Sequence, residues 1–337
     1  NLTVKTSNLC SEITLPTGID KDGRDRTAVC CLSSLNLEKY DEWKDDAMMI
    51  NDVMRFLDNV LTDFIERAPD QFADAKYSAA RERSVGLGVM GFHSYLQKHS
   101  IPLESVMSKV WNKKIFKHIQ EHVDQASKDL ADERGPCPDA AEYGFNERFS
   151  NKTAIAPTAS ISIICGGASP GVEPVAANSY THKTLSGSFN VRNRYLVELL
   201  EKHGKNNEDV WSGITTNQGS VSDLDFLTDH EKDVFKTAFE LDQKWIIELS
   251  GDRTPHISQA QSINLFLAAD VHKKELHKIH FDAWKKGLKS LYYCRSKSIQ
   301  RAENVNDEKS TDILANVYKQ KPTAAKDPEY EECLSCQ

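Results

Sequence analysis

Val85-Gly86-Leu87-Gly88-Val89-Met90-Gly91-Phe92 is short, apolar and glycine-rich, and it runs directly into a helical pattern that ends near His99. A buried strand feeding a helix is the repeating unit of α/β folds. The stretch also matches the dinucleotide fingerprint G-x-G-x-x-G, but it lacks a clear βαβ unit and a well-placed acidic residue about twenty positions on. Its glycines are therefore read as permitting close strand–helix packing. Upstream, Ile50, Val53, Met54, Leu57, Val60, Leu61 and Phe64 recur at three-and-four spacing and predict one helix over about Lys39–Arg67. Downstream, a second amphipathic helix is expected over about Leu103–Ala131 and another strand at Lys152–Pro157. Helical patterns return around Tyr195–His203, Asp229–Leu249 and Val271–Lys289, the last ending in Leu291-Tyr-Tyr-Cys294. Residues 1–37 read as two extended segments, Ser11–Leu15 and Thr27–Leu32, separated by the turn-rich Pro16–Gly23.

Composition excludes several classes. The chain of 337 residues carries 42 basic against 50 acidic residues, net −8, which gives no electrostatic footprint for nucleic acid. No run approaches the apolar length of a membrane span. Eight cysteines without a signal peptide point to a reducing compartment, with the cytoplasm as the default. The chain starts at Asn1 and its first segment has no lead-in element, so it is expected to begin inside a larger fold.

The cysteines carry most of the chemical signal. Cys333 and Cys336 form a Cys-x-x-Cys pair next to the acidic terminus, on a charged stretch, 297–337, that is read as a flexible tail. A dithiol there has little to pack against, so it reads as an electron carrier working by thiol–disulfide exchange with an interior acceptor. Such a tether spans roughly 35 Å as a random coil. The alternative, half of a zinc site, has no second Cys-x-x-Cys or Cys-x-x-His partner. Asn8, Cys10 and Glu12 stand two apart, so an extended chain sends an amide, a thiol and a carboxylate to one side. They either orient and reduce a polar substrate or form an exposed polar face with one incidental thiol. Cys30 and Cys31 alternate and cannot readily bridge each other; one of them facing a pocket competes with both packing as small hydrophobes. Pro157-Thr-Ala-Ser-Ile-Ser162 offers three hydroxyls and free amides after a strand, either a phosphate cradle or an ordinary helix cap. Tyr292-Tyr293 alone reads as core and rim aromatics, and His272, His277 and His280 as a solvated helix face.

Taken in order, Ser-Asn-Leu-Cys-Ser-Glu-Ile, Val-Cys-Cys-Leu-Ser-Ser-Leu-Asn-Leu, Gly-Leu-Gly-Val-Met-Gly-Phe, Ala-Pro-Thr-Ala-Ser-Ile-Ser, Leu-Tyr-Tyr and the terminal Cys pair resemble the large catalytic subunit of class I ribonucleotide reductases. The resemblance spans nearly the whole chain. It implies a fold: the second half of a ten-stranded α/β barrel with a central finger loop and a C-terminal α+β region (1–296), followed by the redox tail. It also implies roles. Cys10 would be the transient thiyl radical that abstracts hydrogen from the substrate ribose, Asn8 would bond the ribose hydroxyls, and Glu12 would act as base. Cys30, which fits the family spacing better than Cys31, would be one of two thiols that reduce the ribose. Pro157, Thr158, Ala159, Ser160, Ile161 and Ser162 would hold the diphosphate of a ribonucleoside diphosphate. Tyr292 and Tyr293 would relay the radical from a metal-bearing small subunit, and Cys333/Cys336 would re-reduce the active-site disulfide with electrons from thioredoxin or glutaredoxin.

The resemblance implies no metal or cofactor on this chain itself. The family's large subunit is more than twice this long and holds its second redox cysteine before the Asn-Leu-Cys loop. The expectation is therefore a fragment or one product of a split gene, which requires an N-terminal partner chain. A non-catalytic remnant or assembly partner is the competing reading.

Overall fold

The computed structural model describes residues 3–184 and 187–296. Cys333, Cys336 and the whole stretch 297–337 lie outside the described residues. The turn-rich N-terminal stretch forms a small hairpin, β1 (Gly18–Ile19) with β2 (Asp25–Arg26). Behind it runs a wall of parallel segments. β3 (Leu32–Asn36) pairs in parallel with β4 (Gly86–Met90), Leu32 opposite Gly86 and Asn36 opposite Met90. On the other edge of β4, Leu87 bridges Thr153, and two residues on Ile155 bridges Gln261, both in parallel. The 259–264 segment continues into β7 (Leu265–Leu267), which pairs in parallel with β8 (Cys294–Ser296). Each new segment adds to the same edge, and helical crossovers join them, which is how a parallel barrel wall is built.

The crossovers follow chain order. α1 (Tyr40–Trp43), α2 (Met49–Arg67) and α3 (Ala73–Glu82) return the chain from β3 to β4. α4 (Phe92–Lys98), α5 (Val106–Arg134) and α6 (Pro138–Glu142) lead to the Thr153 segment. Between Ile155 and Gln261 lie α7 (Ala159–Ile164), the hairpin of β5 (Ser179–Thr184) and β6 (Gly187–Arg192), α8 (Arg194–Lys202), α9 (Glu208–Thr216), α10 (Asp229–Val234) and α11 (Gln243–Arg253). α12 (Lys273–Lys285) joins β7 to β8. The main core sets Ile50, Met54, Leu57 and Leu61 of α2 and Ile115, Ile119 and Val123 of α5 against Leu35 of β3 and Leu87 and Val89 of β4. Full burial of each such side chain contributes about 1.5–3 kcal/mol.

The glycines of the opening stretch do what the packing reading requires. A Cβ at Gly88 would collide with the Ala154 carbonyl, so the neighbouring strand approaches β4 closely only because position 88 is bare. β4 is buried along its whole length, as a strand covered on both faces must be.

The structure moves several expected elements. Ser11–Leu15 forms no ladder, because side chains take its amides: Ile13 N donates to Asn8 Oδ1 (3.0 Å) and Thr14 N to Gln259 Oε1 (3.1 Å). The strand expected at Thr27–Leu32 begins only at Leu32, since Thr27 N donates instead to Ser78 Oγ of α3 (2.8 Å). The single helix over 39–67 is interrupted near Asp46, whose carboxylate accepts from Met48 N (2.9 Å) and restarts the chain as α2. The helix expected over Asp229–Leu249 divides into α10 and α11, because Glu240 accepts from the Thr237 amide (2.8 Å) and Asp242 caps a new start by accepting from Lys244 N (2.9 Å). The β5–β6 hairpin and α9 were not expected at all.

Candidate active site

The Asn8–Glu12 loop is folded by its own polar groups. Ser11 adopts the left-handed conformation (φ 67°), which turns the chain so that Ser11 N donates to Asn8 O (3.1 Å). Asn8 Nδ2 donates to Glu12 Oε1 at 2.8 Å. The loop is then clamped between two barrel segments. On one side Ala260 N donates to Glu12 O (2.9 Å), while Ser262 Oγ contacts both the Cys10 carbonyl (2.5 Å) and Glu12 Oε2 (2.8 Å). On the other, Ser11 Oγ donates to Leu291 O (3.1 Å) and Ser290 Oγ to Ser11 O (2.8 Å). Cys10 and Glu12 are consequently buried, at 1% and 2% exposure.

The tyrosine pair sits at the same place. Tyr292 N donates to Ile263 O (2.8 Å), Tyr293 N to Asn264 Oδ1 (3.0 Å), and Leu265 N to Tyr293 O (2.8 Å). The two rings lie 4.0 Å apart between centroids, inclined by 33°. Burial pushes the Tyr292 phenol far above its ordinary value, and hydrogen bonds with Tyr293 and with the Cys10 thiol push it the same way. Tyr293, Tyr292 and Cys10 thus form a continuous chain of three exchangeable hydrogens.

Cys30 and Cys31 divide as alternation requires. Cys31 is buried, its Sγ 3.9 Å from Leu57 O, and desolvation pushes its thiol up to about 11. Such a thiol is a poor nucleophile. Cys30 is exposed and stands just before β3. The hydroxyl-rich turn follows the Thr153–Ile155 segment at its C-terminal end, where parallel sheets place ligands. Thr158 there has φ 56°, and its Oγ1 accepts from Gly171 N (2.6 Å), which folds the following loop back over the turn. Ala159, Ser160 and Ile161 are exposed, while Pro157 and Thr158 are half-buried and Ser162 is buried. The structure therefore brings Asn8, Cys10, Glu12, Tyr292 and Tyr293 into one bonded cluster, with Cys30 and the 157–162 turn each next to a parallel segment of the same wall. Among the described residues no group of three or more His, Cys, Asp or Glu side chains is placed to hold a metal ion, and no helix is long and apolar enough to cross a membrane.

Sequence reasoning missed Ser262 and Asn264. Ser262 and Asn264 belong to the run Gln259-Ala-Gln-Ser-Ile-Asn264, whose four polar side chains are all buried in a barrel segment. Buried polar groups at that density require dedicated partners, and that run was the signal that could have found them.

Comparison with known proteins bears on the family and the fold. The sequence model of the ribonucleotide reductase barrel domain matches residues 1–147 and 139–294. The chain is 51% identical over 301 residues to the ribonucleoside-diphosphate reductase large subunit of Invertebrate iridescent virus 6, covering 88% of this chain and 31% of that protein. It is 41% identical over 340 residues to the putative large subunit of Frog virus 3, covering 100% of this chain and 56% of the other. The solved class Id ribonucleotide reductase alpha subunit of Actinobacillus ureae superposes with a TM-score of 0.81 at 38% identity, over 90% of this chain and 55% of that one. The chain spans between about a third and a little over half of the length of these relatives.

Proposed function

The chain belongs to the ribonucleotide reductase barrel-domain family, and from that premise we propose that it reduces ribonucleoside diphosphates by radical chemistry as the C-terminal part of a catalytic large subunit. A radical-generating, metal-containing small subunit supplies the oxidising equivalent at Tyr293. The observation that carries this reading is the bonded chain Tyr293–Tyr292–Cys10 inside a family barrel.

Each step moves one hydrogen. The Tyr293 phenoxyl takes a hydrogen atom from the Tyr292 hydroxyl, and the Tyr292 phenoxyl takes one from the Cys10 thiol. The Cys10 thiyl then abstracts a hydrogen atom from a ribose C–H. Glu12, whose oxygens lie against Asn8 Nδ2 and Ser262 Oγ, takes the proton of a neighbouring ribose hydroxyl as general base, and Asn8 orients that hydroxyl. The adjacent hydroxyl departs as water. Two thiols, one of them Cys30, supply two electrons and two protons and become a disulfide, and Cys10 returns its hydrogen atom. The second of those thiols belongs to the family's preceding sequence, which a partner chain or the remainder of the subunit provides. Residues 157–162 hold the diphosphate through hydroxyls and amides. Cys333 and Cys336 exchange with the disulfide and are recharged in the cytoplasm by a thioredoxin- or glutaredoxin-type donor.

The test is reconstitution with the N-terminal large-subunit sequence and a small subunit. Deoxyribonucleotide should form with the parent chain and fall to background with Cys10→Ser, which keeps the size but removes the weak S–H bond. Full turnover by Cys10→Ser would end the radical reading, and no turnover by the parent complex would favour a non-catalytic assembly role.

A further inference from the structure

Glu173 is buried on the loop that follows the hydroxyl turn, a loop anchored by the Gly171 N to Thr158 Oγ1 bond (2.6 Å). Its Oε1 accepts from Asn264 Nδ2 at 2.6 Å, and Asn264, 2% exposed, accepts with its Oδ1 from Tyr293 N at 3.0 Å. The orientation of that amide is fixed by chemistry. A backbone N–H can only donate, so Asn264 must turn its oxygen to Tyr293 and its NH2 to position 173. A carboxylate there can only accept, and so enforces the same orientation from the other side. The remaining charged neighbour is Arg295, whose guanidinium carbon lies 5.4 Å from the centroid of the Tyr293 ring. Burial pushes the Glu173 carboxyl up to about 7, and the Asn264 bond and the Arg295 charge hold it from rising further.

We propose that Glu173, acting through Asn264, is a positioning residue of the radical relay that fixes the Tyr293 backbone so that its ring stays in register with Tyr292. The assignment deepens the relay reading given above and rests on it. Hydrogen-atom exchange between phenols is steep in distance, and a misplacement of about 1 Å can lower a rate by about 100-fold. Asn264 supplies the bond that holds Tyr293 N, and the acceptor at 173 anchors the other end of its amide, so that loss of Glu173 leaves the Asn264 side chain held at one end instead of two. Glu173 touches neither reacting hydroxyl in this arrangement, so its loss should slow the relay without altering substrate affinity.

The experiment uses the complete large subunit carrying this sequence, assayed with its small subunit. Glu173→Ala should lower kcat by about 10- to 100-fold with KM for the ribonucleoside diphosphate unchanged, and hydrogen exchange of the Tyr293 amide should quicken. Glu173→Gln, which can still accept from Asn264, should stay within about threefold of the parent, a change worth less than one hydrogen bond. Asn264→Asp turns the donor into a second acceptor facing Glu173 and should fall like Glu173→Ala. The double variant Glu173→Gln with Asn264→Asp restores a donor–acceptor pair in the opposite sense and should recover turnover, which also guards against Glu173→Ala failing to fold. A parent-like kcat in Glu173→Ala, a rise in KM alone, or no recovery in the double variant would overturn the assignment. Tyr293→Phe separates the two levels. If it is inactive while Glu173→Ala turns over normally, only the role of Glu173 falls; if it is fully active, the relay reading falls with it.

Discussion

Glu12 in the finger-loop seam and Asp58 on the helical flank are carboxylates of nearly equal burial, 2% and 0% exposed, yet the fold surrounds them differently. Asp58 of α2 receives three guanidinium groups: Arg83 at 2.7 Å, Arg134 at 2.7 Å and Arg148 at 2.9 Å. Against the cost of burial, hydrogen bonds from Arg148, Arg134 and Arg83 and the Arg83 charge hold its pKa below the usual carboxylate range. The named side-chain partners of Glu12 are an amide and a hydroxyl. A charge matched by cations is fixed as a structural strut, whereas a carboxylate held by neutral donors keeps lone pairs able to take a proton. The flank spends its buried charge on tying α2 to the 134–148 region, whereas the seam holds its carboxylate through an amide and a hydroxyl.

That contrast breaks first if catalysis and stability fail to separate. Tyr292→Phe deletes one hydroxyl from the seam and with it the hydrogen that the proposed relay exchanges with Cys10. Turnover should drop to background in the reconstituted complex. The lost hydrogen bonding is worth only about 1 kcal/mol, so the unfolding midpoint in urea should barely move. A large stability loss, or persistent turnover, would mean that the seam is structural after all.

Asp58→Ala probes the opposite pole. It strands Arg83, Arg134 and Arg148 around an empty site, and removing one partner from a buried ionic cluster costs about 3–5 kcal/mol. The urea midpoint should fall accordingly at neutral pH. The sign with pH follows from the depressed pKa: the contribution is complete above the unfolded carboxylate value of about 3.9 and is lost as pH falls through the lower folded value, so variant and parent should converge in acid. Substrate KM in the surviving folded protein should match the parent.

The same contrast explains what the sequence made legible. α2 and α5 were readable because burying one face of a long helix imposes a 3.6-residue period that single residues cannot hide. The wall was harder to read, because its segments are short and covered on both faces. Thr153 and Ile155 lie in the stretch Lys152–Pro157 that reads as a strand, but they contribute single bridges, not a ladder. The residues Asn8, Cys10, Glu12, Tyr292 and Tyr293 were named from spacing and family resemblance together; spacing alone left Tyr292 and Tyr293 as rim aromatics, because their partner Cys10 lies at the other end of the sequence. Ser262 and Asn264 escaped for that reason as well. The polar run Gln259–Asn264 marks the segment, but the roles of its residues come from what faces them across the wall, and for Ser262 that neighbour, Glu12, is 250 residues away.

The smallest effect sharpens the contrast on the flank itself, where Glu82 of α3 is 3% exposed and carries no matching cation of the Asp58 kind. Burial raises its carboxyl from 4.5 to about 7, the charge of Asp139 adds to the rise, and Arg26 and a Ser84 hydrogen bond pull it back. The folded state therefore keeps a proton between about 4.5 and 7 that the unfolded chain has released. Stability must then decline as pH climbs through that window and level off above it. Glu82→Gln removes the titration while keeping shape and hydrogen-bonding capacity. The full shift corresponds to an upper bound of about 3 kcal/mol at 1.36 kcal/mol per unit, and water penetration reduces it, so the expected gain is about 1–3 kcal/mol at pH 8 and near zero at pH 4.5. Urea unfolding of parent and variant at both pH values measures it. A gain that is the same at both would show that Glu82 is not desolvated in the folded protein.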